Sequence, residues 1–450
     1  FIECGSGKCR GILGIGKEEM MLRRFLKYIS QSVAAMMGQS VYILADTFFI
    51  SVSSGADGLA VLNLILPVFG IMFAIGSMIG IGSATRYGIS RAKGEAADHY
   101  FTQSISWAII FSIPFVLVGI FLPDKFLALL GADAGLVELG KTYLRIILIF
   151  APFFICNYSA TAFARNDHAT STVMAGSLAG SAFNIVFDYI FIFPAGLGFS
   201  GAALATAFCP CVTMLVCSTH YFSKKCNISF RWKKLSVRHL ISCCQLGVSA
   251  FVGEISSAVI TFIFNMLILG LTGSTGVAAY GVVANLSLVG MAIMNGMAQG
   301  AQPLISESFG KGAFDDVKKL LGWALKSVAV VEILLVSLVW IFTDPFIAVF
   351  NSENNQLLQQ YAHTGLRLYF LGFLFAGVNI MLVAYFSATA NARPAIIGSL
   401  LRGAIAIGSC AVVLAKILGM NGVWLSFLAS EVITFGIILI LAKSKLYKNK

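Results

Sequence analysis

The most constraining feature of this sequence is a series of apolar runs, each about twenty residues long, that continues along the whole chain. About 20 apolar residues form a helix that crosses the ~30 Å hydrocarbon layer of a membrane. The 450 residues are 58% hydrophobic and only 11% charged, with a mean hydropathy of +0.87, which excludes a water-soluble domain. We predict twelve transmembrane helices, at 25–50, 59–83, 103–122, 143–163, 171–193, 199–222, 240–270, 276–304, 320–343, 364–389, 396–418 and 422–442.

Positive charge divides these runs into two groups of six. The stretch 223–239 holds six Lys and Arg residues and no acid, and loops of this kind stay on the cytoplasmic side of a membrane. Basic loops alternate along the chain with short loops rich in Gly, Pro and Asp. Membrane orientation therefore accounts for the net charge of +11, and we expect no nucleic-acid partner. We predict a multi-pass protein of the cell inner (plasma) membrane with both termini cytoplasmic.

The two groups of runs resemble each other. RAKGEAADH at 91–99 matches FGKGAFDDV at 309–317, and SATAFAR at 159–165 matches SATANAR at 387–393. Each group has an even number of helices, so the repeats are parallel and related by an axis along the membrane normal. The predicted fold is an all-α polytopic membrane protein, with two six-helix bundles around a central cleft.

This organisation predicts five segments along the chain. The first methionines are Met20 and Met21. We therefore expect residues 1–19 to come from a vector or from translation that began upstream of the true start. The predicted segments are an N-terminal cytoplasmic segment at 1–24, an N-terminal bundle at 25–222, a basic cytoplasmic linker at 223–239, a C-terminal bundle at 240–442 and a cytoplasmic tail at 443–450.

Four polar residues lie at about the same depth below the outer surface of the predicted membrane. Asp46, Asn184, Asp188 and Thr206 each stand a few residues from the outer end of a run, at a helical rise of about 1.5 Å per residue. A carboxylate at mid-membrane costs roughly 2.5–3.5 kcal/mol on insertion scales. Hard oxygen ligands suit a sodium ion, or one proton shared by two carboxylates. We predict a cation-coupling site that binds sodium or a proton; a merely structural polar cluster is the alternative.

Three further acids lie inside the predicted spans. Glu332 and Glu431 stand among apolar residues, and we expect each to be protonated or hydrogen-bonded to a neighbouring helix. Glu254 lies midway along the seventh span. No aspartate stands at the repeat-related position of Asp46, so we expect ion coupling to belong to the N-terminal bundle.

The repeated segments also carry a family resemblance. GMAQGAQPLISESFGKG at 296–312, its partner GIGSATRYGISRAKG at 80–94 and the paired SATAxAR loops resemble the multidrug and toxic compound extrusion (MATE) family. The resemblance covers about 25–442. It implies an alternating-access efflux transporter, not an enzyme, that exports organic, often cationic amphipathic compounds by antiport with sodium or protons. It implies no cofactor beyond the coupling ion, small organic substrates, the lipid bilayer as surroundings, and a monomer.

The resemblance also implies roles for individual residues. In the family's DinF-like branch the cation site uses an Asp on helix one, Asn-x-x-x-Asp on helix five and a Thr on helix six, which Asp46, Asn184, Asp188 and Thr206 match. Glu254 is similar to the helix-seven acid of the NorM-like branch, whose helix-ten acid aligns with Asn379 here. We assign Glu254, Asn379 and Gln299 to the substrate pathway, with Glu254 attracting cationic substrates.

Two other functions are alternatives to export. A flippase of lipids or lipid-linked oligosaccharides, from the same superfamily, would need several basic residues in its cleft to bind a pyrophosphate. The spans offer few away from their ends, with Arg402 the main exception. An intramembrane enzyme would need a set such as HExxH, the aspartate-rich motif DDxxD or a Ser–His pair within the spans, and the sequence has no such set. Export is the function that the sequence favours.

The charge pattern makes a direct prediction about topology. Single cysteines in 223–239 and 443–450 should be labelled by membrane-impermeant reagents only after the cells are opened. Those in the loops at 123–141 and 344–356 should be labelled in intact cells. Labelling of the central loop from outside would contradict both the orientation and the export direction.

Overall fold

The computed structural model describes residues 6–446 except 98, 229, 232 and 352–354. Two very long helical stretches, Ser6–Ala92 and Val237–Gly310, each contain one glycine with a non-helical backbone. Gly55 has φ 58° and ψ −145°, and Gly273 has φ 67° and ψ −159°. L-residues with a side chain rarely adopt positive φ, whereas glycine does so at little cost. Each stretch is therefore two helices joined at its glycine.

With these two breaks, the described residues form twelve helices long enough to span a membrane, as predicted from the sequence. Two of them are helix pairs that bend in the middle, by 42° after Ile149 and by 44° after Phe370. The twelve are α1 (Gly16–Gly55), α2 (Asp57–Ala92), α3 (Tyr100–Phe121), α4 (Ala134–Ile149 with Ala151–Asn166), α5 (Thr170–Ile192), α6 (Phe199–Tyr221), α7 (237–272), α8 (274–310), α9 (Phe314–Ile341), α10 (Gln356–Phe370 with Phe373–Ala388), α11 (Ala392–Leu418) and α12 (Met420–Leu441).

The internal repeat is visible in the backbone. Gly55 and Gly273 stand 218 residues apart with nearly the same φ and ψ, and the bent helices α4 and α10 occupy corresponding places in the two halves. A side-chain cap begins each bent helix, because Asp133 accepts a hydrogen bond from the Leu136 backbone nitrogen at 2.9 Å and Asn355 accepts one from Leu357 at 3.0 Å. Short helices, Pro123–Leu129 and Thr343–Phe350, precede them.

At one end of the molecule the two halves have separate hydrophobic cores. This end, which we call the far end, carries Gly55 and Gly273. One cluster of buried side chains there belongs entirely to α1–α6 and the helix before α4, with Val61, Tyr143 and Phe199 among its members. A second belongs entirely to α7–α12 and the helix before α10, and includes Phe264 and Trp424. The halves do not share a core at the far end.

At the opposite end the halves pack closely. This end carries the loop between α6 and α7, and we call it the basic end. The first turns of α1 join the C-terminal half in one buried cluster, where Phe25 and Tyr28 lie with Met297 and Leu304 of α8. Across the same junction Arg24 forms an ion pair of 2.7 Å with Glu307. The cleft between the halves is therefore closed at the basic end.

The loop at the basic end is tied to the N-terminal half by Asp167. Its buried carboxylate accepts hydrogen bonds from Arg91 Nη1 at 2.6 Å, His220 Nε2 at 2.9 Å and the Asn227 backbone nitrogen at 2.8 Å. Burial raises the pKa of Asp167, but the bonds from Asn227, His220 and Arg91 outweigh it and hold that pKa below its ordinary value. Asp167 is therefore a charged anchor for the loop.

Gly247 of α7 packs closely on α2. Substituting it tests whether this contact keeps the basic end closed. A Cβ atom at this position would lie 2.0 Å from the Met78 carbonyl oxygen. Gly247→Ala should force the two helices apart at a cost of about 1–3 kcal/mol, lower the thermal midpoint, and expose neighbouring Cys243, which is only 1% exposed. Mass spectrometry of alkylated Cys243 measures the opening.

The matched control is Gly253→Ala on the same helix, because a Cβ there meets no atom within 4 Å. It should leave both the thermal midpoint and Cys243 alkylation unchanged. Equal alkylation of Cys243 in the two variants would show that the close contact with Met78 does not hold the basic end closed.

Candidate functional site

The structure brings the four predicted cation-site residues together inside the N-terminal half. Asp46 lies on α1, Asn184 and Asp188 lie one turn apart on α5, and Thr206 lies on α6. Thr206 Oγ1 lies 3.4 Å from Asp46 Oδ1 and 3.2 Å from the Asn184 side-chain amide. All four side chains are buried, with exposed fractions of 7% or less. The depth matching made from the sequence therefore predicted a real cluster.

The Asn184 amide has one orientation that satisfies its neighbours. With its nitrogen toward Asp188, that nitrogen donates to Asp188 Oδ2 at 3.1 Å. Its oxygen then accepts from Thr206 Oγ1 at 3.2 Å and from the Thr206 backbone nitrogen at 3.3 Å. In the opposite orientation oxygen faces acceptors and nitrogen faces donors, which is unfavourable. Asn184 thus fixes one oxygen of Asp188 in place.

The two carboxyl groups carry the chemistry of the cluster. Those of Asp46 and Asp188 are linked through Thr206 Oγ1, which lies 3.4 Å from Asp46 Oδ1, and the Asn184 amide, which donates to Asp188 Oδ2. Two carboxylates in contact and out of water do not both ionise unless a cation lies between them. Asp188 Oδ1 is buried and has no hydrogen-bond partner among the described residues. The cluster therefore has a free acceptor oxygen and negative charge that is not balanced by a basic side chain of the cluster. A proton or a sodium ion would supply both the missing partner and the missing positive charge.

Tyr42 is a neighbour of the cluster that the sequence analysis missed. Its side chain lies close to Cys209 of α6 and to both Asp46 and Asp188. The signal in the sequence was its position four residues before Asp46, which places both on one face of α1.

The three residues assigned to the substrate pathway lie in three different places. Glu254 is half-buried on α7, and no hydrogen bond or ion pair joins it to another described residue. Gln299 lies at the closed basic end, where its Oε1 accepts from Arg165 Nη1 at 2.5 Å. Asn379 is fully buried in the C-terminal half, so it does not line the cleft in this conformation. Of the three, only Glu254 is neither fully buried nor hydrogen-bonded to another described residue.

Asn379 belongs instead to a buried ionic cluster in the C-terminal half. Its Nδ2 donates to Glu431 Oε2 at 2.7 Å, and Arg402 Nη2 donates to Glu431 Oε1 at 3.1 Å. Glu332 Oε1 accepts from two backbone nitrogens, at 2.7 and 3.0 Å. The expected hydrogen bonding of Glu332 and Glu431 is confirmed. The partnership with Arg402 was missed; a π-helical turn at Leu401–Ile405 interrupts α11 where Arg402 lies.

Comparison with known proteins decides the family. The family model MatE matches residues 32–190 and again 250–412. The chain belongs to the MatE family. The two matches begin 218 residues apart, at 32 and 250, which is the spacing of Gly55 and Gly273. The family resemblance seen in the sequence is confirmed, and this MatE-family protein is a multi-pass membrane transporter rather than an enzyme.

Among its relatives are proteins named multidrug export protein MepA. That of Staphylococcus aureus (strain NCTC 8325 / PS 47) is 28% identical over 399 residues, covering 87% of this chain and 86% of the relative. That of Staphylococcus saprophyticus subsp. saprophyticus is 28% identical over 415 residues, covering 89% and 90%.

Solved structures show the same fold. An outward-facing multidrug resistance MATE family transporter of the MOP superfamily superposes with a TM-score of 0.88 at 21% identity, covering 94% of this chain and 96% of that one. A MOP superfamily transporter from Pyrococcus furiosus gives 0.87 at 21% identity, covering 94% and 95%. The predicted all-α architecture of twelve helices is confirmed.

The C-terminal cluster makes a prediction about stability. Arg402→Met removes the charge that balances Glu431, whose side chain is 1% exposed. Breaking a buried ion pair in this way costs about 3–5 kcal/mol, so the thermal midpoint of the purified protein should fall by several degrees. The double variant Arg402→Met/Glu431→Gln should recover most of the loss, because neither charge remains. A single variant as stable as the unaltered protein would show that Glu431 is already neutral.

Proposed function

We propose that this protein is a secondary active exporter of organic, often cationic amphipathic compounds, driven by sodium or protons that bind at Asp46, Asn184, Asp188 and Thr206. The observation that carries the proposal is a buried cluster of two carboxyl groups, linked through Thr206 and Asn184, in which Asp188 Oδ1 has no hydrogen-bond partner among the described residues. The relatives named multidrug export protein support drugs and toxins as the substrates. Membrane potential and ion gradients supply the energy.

The direction of transport follows from the charge pattern. If the basic loops are cytoplasmic, the closed basic end faces the cytoplasm and the far end, where the cores are separate, faces outward. The cluster lies nearer the far end, since Asp46 is nine residues before Gly55 in α1. We infer that the cluster takes its cation from outside in this conformation, in a monomer that lies in the plasma membrane.

Helix α1 is the element that couples the ion to the closed end. Its outer part carries Asp46, whereas its inner part buries Phe25 and Tyr28 against the C-terminal half. A cation bound at Asp46 changes how α1 packs on α5 and α6, and the same rigid helix carries that change to the junction between the halves. A ligand shifts such an equilibrium only by its difference in affinity for the two states, so the cation must bind one state better.

The cleft residue for substrate is Glu254. A binding site for an organic compound needs only a few placed polar groups in apolar surroundings. Glu254 supplies a carboxyl group on α7, near Tyr158 of α4. Because this carboxyl group has no fixed partner among the described residues, it suits cationic amphipathic substrates.

The flippase alternative is weakened by the same geometry. Its main candidate for binding a pyrophosphate was Arg402, whose side chain is only 15% exposed and is paired with Glu431. A guanidinium neutralised inside the C-terminal half is not available to an anionic lipid in the cleft. Export of organic, often cationic compounds is therefore the function that we propose.

Substitutions in the cluster test the coupling. In proteoliposomes with sodium and proton gradients imposed separately, Asp188→Asn and Asp46→Asn should abolish gradient-driven export while drug binding stays measurable, because shape is kept and charge is lost. Thr206→Ala should reduce sodium-driven export more than proton-driven export, since a proton needs no hydroxyl ligand.

The matched control is Glu332→Gln, which also neutralises a buried acid. Its amide oxygen can still accept from the Gly377 and Val378 backbone nitrogens, so export should continue. Wild-type export by the double variant Asp46→Asn/Asp188→Asn would refute the assignment.

A further inference from the structure

Arg165 is a buried cation that has no acidic partner. It stands in the last turn of α4 at the basic end and is 9% exposed. Its Nη1 donates to Gln299 Oε1 at 2.5 Å, and its buried Nε has no hydrogen-bond partner among the described residues. Within the described part of the chain no carboxylate forms an ion pair with it. A buried charge left unpaired costs several kcal/mol, and the partial negative charge of the helix C-terminus, equivalent to roughly half an elementary charge, offsets only part of that.

A small cavity opens beside this guanidinium. Its lining is rich in hydrogen-bond donors and includes no acid: Ile81, Thr85, Ala162, Arg165, Asn166, Gln299, Gln302 and Pro303. Gln302 Nε2 donates to Thr85 Oγ1 at 3.0 Å, which leaves the Thr85 hydroxyl hydrogen and a second Gln302 amide hydrogen for another acceptor. The amide nitrogen of Gln299 is also a donor, because its oxygen is occupied by Arg165. A guanidinium, two amides and a hydroxyl form an anion-binding environment.

We propose that this cavity binds a single small anion, a halide such as chloride. The space admits about one water-sized group, which favours a single-atom anion over a phosphate or the carboxylate of an organic substrate. The anion accepts hydrogen bonds from Arg165, Thr85 and Gln302 and balances the guanidinium charge. This inference goes beyond the proposed export function and concerns an ion that is not the coupling cation.

Because of its position, the cavity can bind the anion in only one conformation, the one whose basic end is closed. Thr85 and Arg165 belong to the N-terminal half, whereas Gln299 and Gln302 belong to the C-terminal half. The donors converge only while the two halves meet at the basic end, so separation of the halves dismantles the site. A ligand that binds one state only shifts the equilibrium toward that state. Chloride therefore stabilises the conformation whose basic end is closed.

Halide-dependent stability of the purified full chain tests the proposal without any transport measurement. The thermal midpoint should rise and saturate as chloride or bromide replaces gluconate at constant sodium and ionic strength. Anomalous diffraction from crystals grown in bromide should place one peak beside Arg165. Arg165→Gln should abolish both the shift and the peak.

Two further variants separate binding from folding. Arg145→Gln makes the same change at an exposed arginine of the same helix α4, and should keep the full halide response. Gln302→Leu removes one donor of the cavity and leaves the Arg165 charge in place, so the halide concentration for half-maximal effect should rise at least several-fold. If Arg165→Gln does not fold, the Gln302→Leu response and the bromide peak decide the question. A thermal midpoint independent of halide in the unaltered protein, or a bromide peak elsewhere only, would overturn the proposal.

Discussion

The cost of burying a charge in a medium of low dielectric constant governs the polar groups of this protein, and each half meets that cost differently. In the C-terminal half Glu431 is held by Arg402 and Asn379, and Glu332 by two backbone nitrogens. Those acids have partners that the fold supplies permanently. In the N-terminal half the carboxyl groups of Asp46 and Asp188 lie in one buried cluster, and Asp188 Oδ1 has no hydrogen-bond partner among the described residues. We propose that their partner is a cation from outside the protein, which would allow this cluster to drive a cycle.

The two halves differ in their buried polar residues although their backbones are repeats of each other. The position 218 residues after Asp46 is Phe264, which is fully buried in the hydrophobic core of the C-terminal half. At corresponding places one half has a carboxyl group and the other an aromatic ring, on helices that turn at glycines with nearly the same φ and ψ. The far end of α7 is thus held by apolar packing, whereas that of α1 carries one of the carboxyl groups to which we assign the cation. Under this proposal only the N-terminal half senses the ion.

The fold could be predicted from the sequence because each of its determinants is local or periodic. Span length, loop charge and the repeat need no knowledge of how helices rotate. The cluster of Asp46, Asn184, Asp188 and Thr206 was also predictable, since depth below one surface can be counted along each helix. The pairing of Arg402 with Glu431 was not, because it depends on how α11 and α12 are turned about their axes and on a π-helical turn. The same holds for Arg165 and Gln299, which meet only through the packing of one half on the other.

Two charged sites of opposite sign therefore lie on either side of the same moving junction. Two carboxyl groups lie together near the far end, and at the basic end the guanidinium of Arg165 has no acidic partner among the described residues. Under our proposals the first cluster takes its cation from outside, and the second site is complete only while the basic end is closed. The second condition holds in the conformation seen here, so under our proposal the anion favours the closed basic end. A cation that drives export by moving inward must leave this state while still bound, so the anion is the ion whose departure would release the basic end.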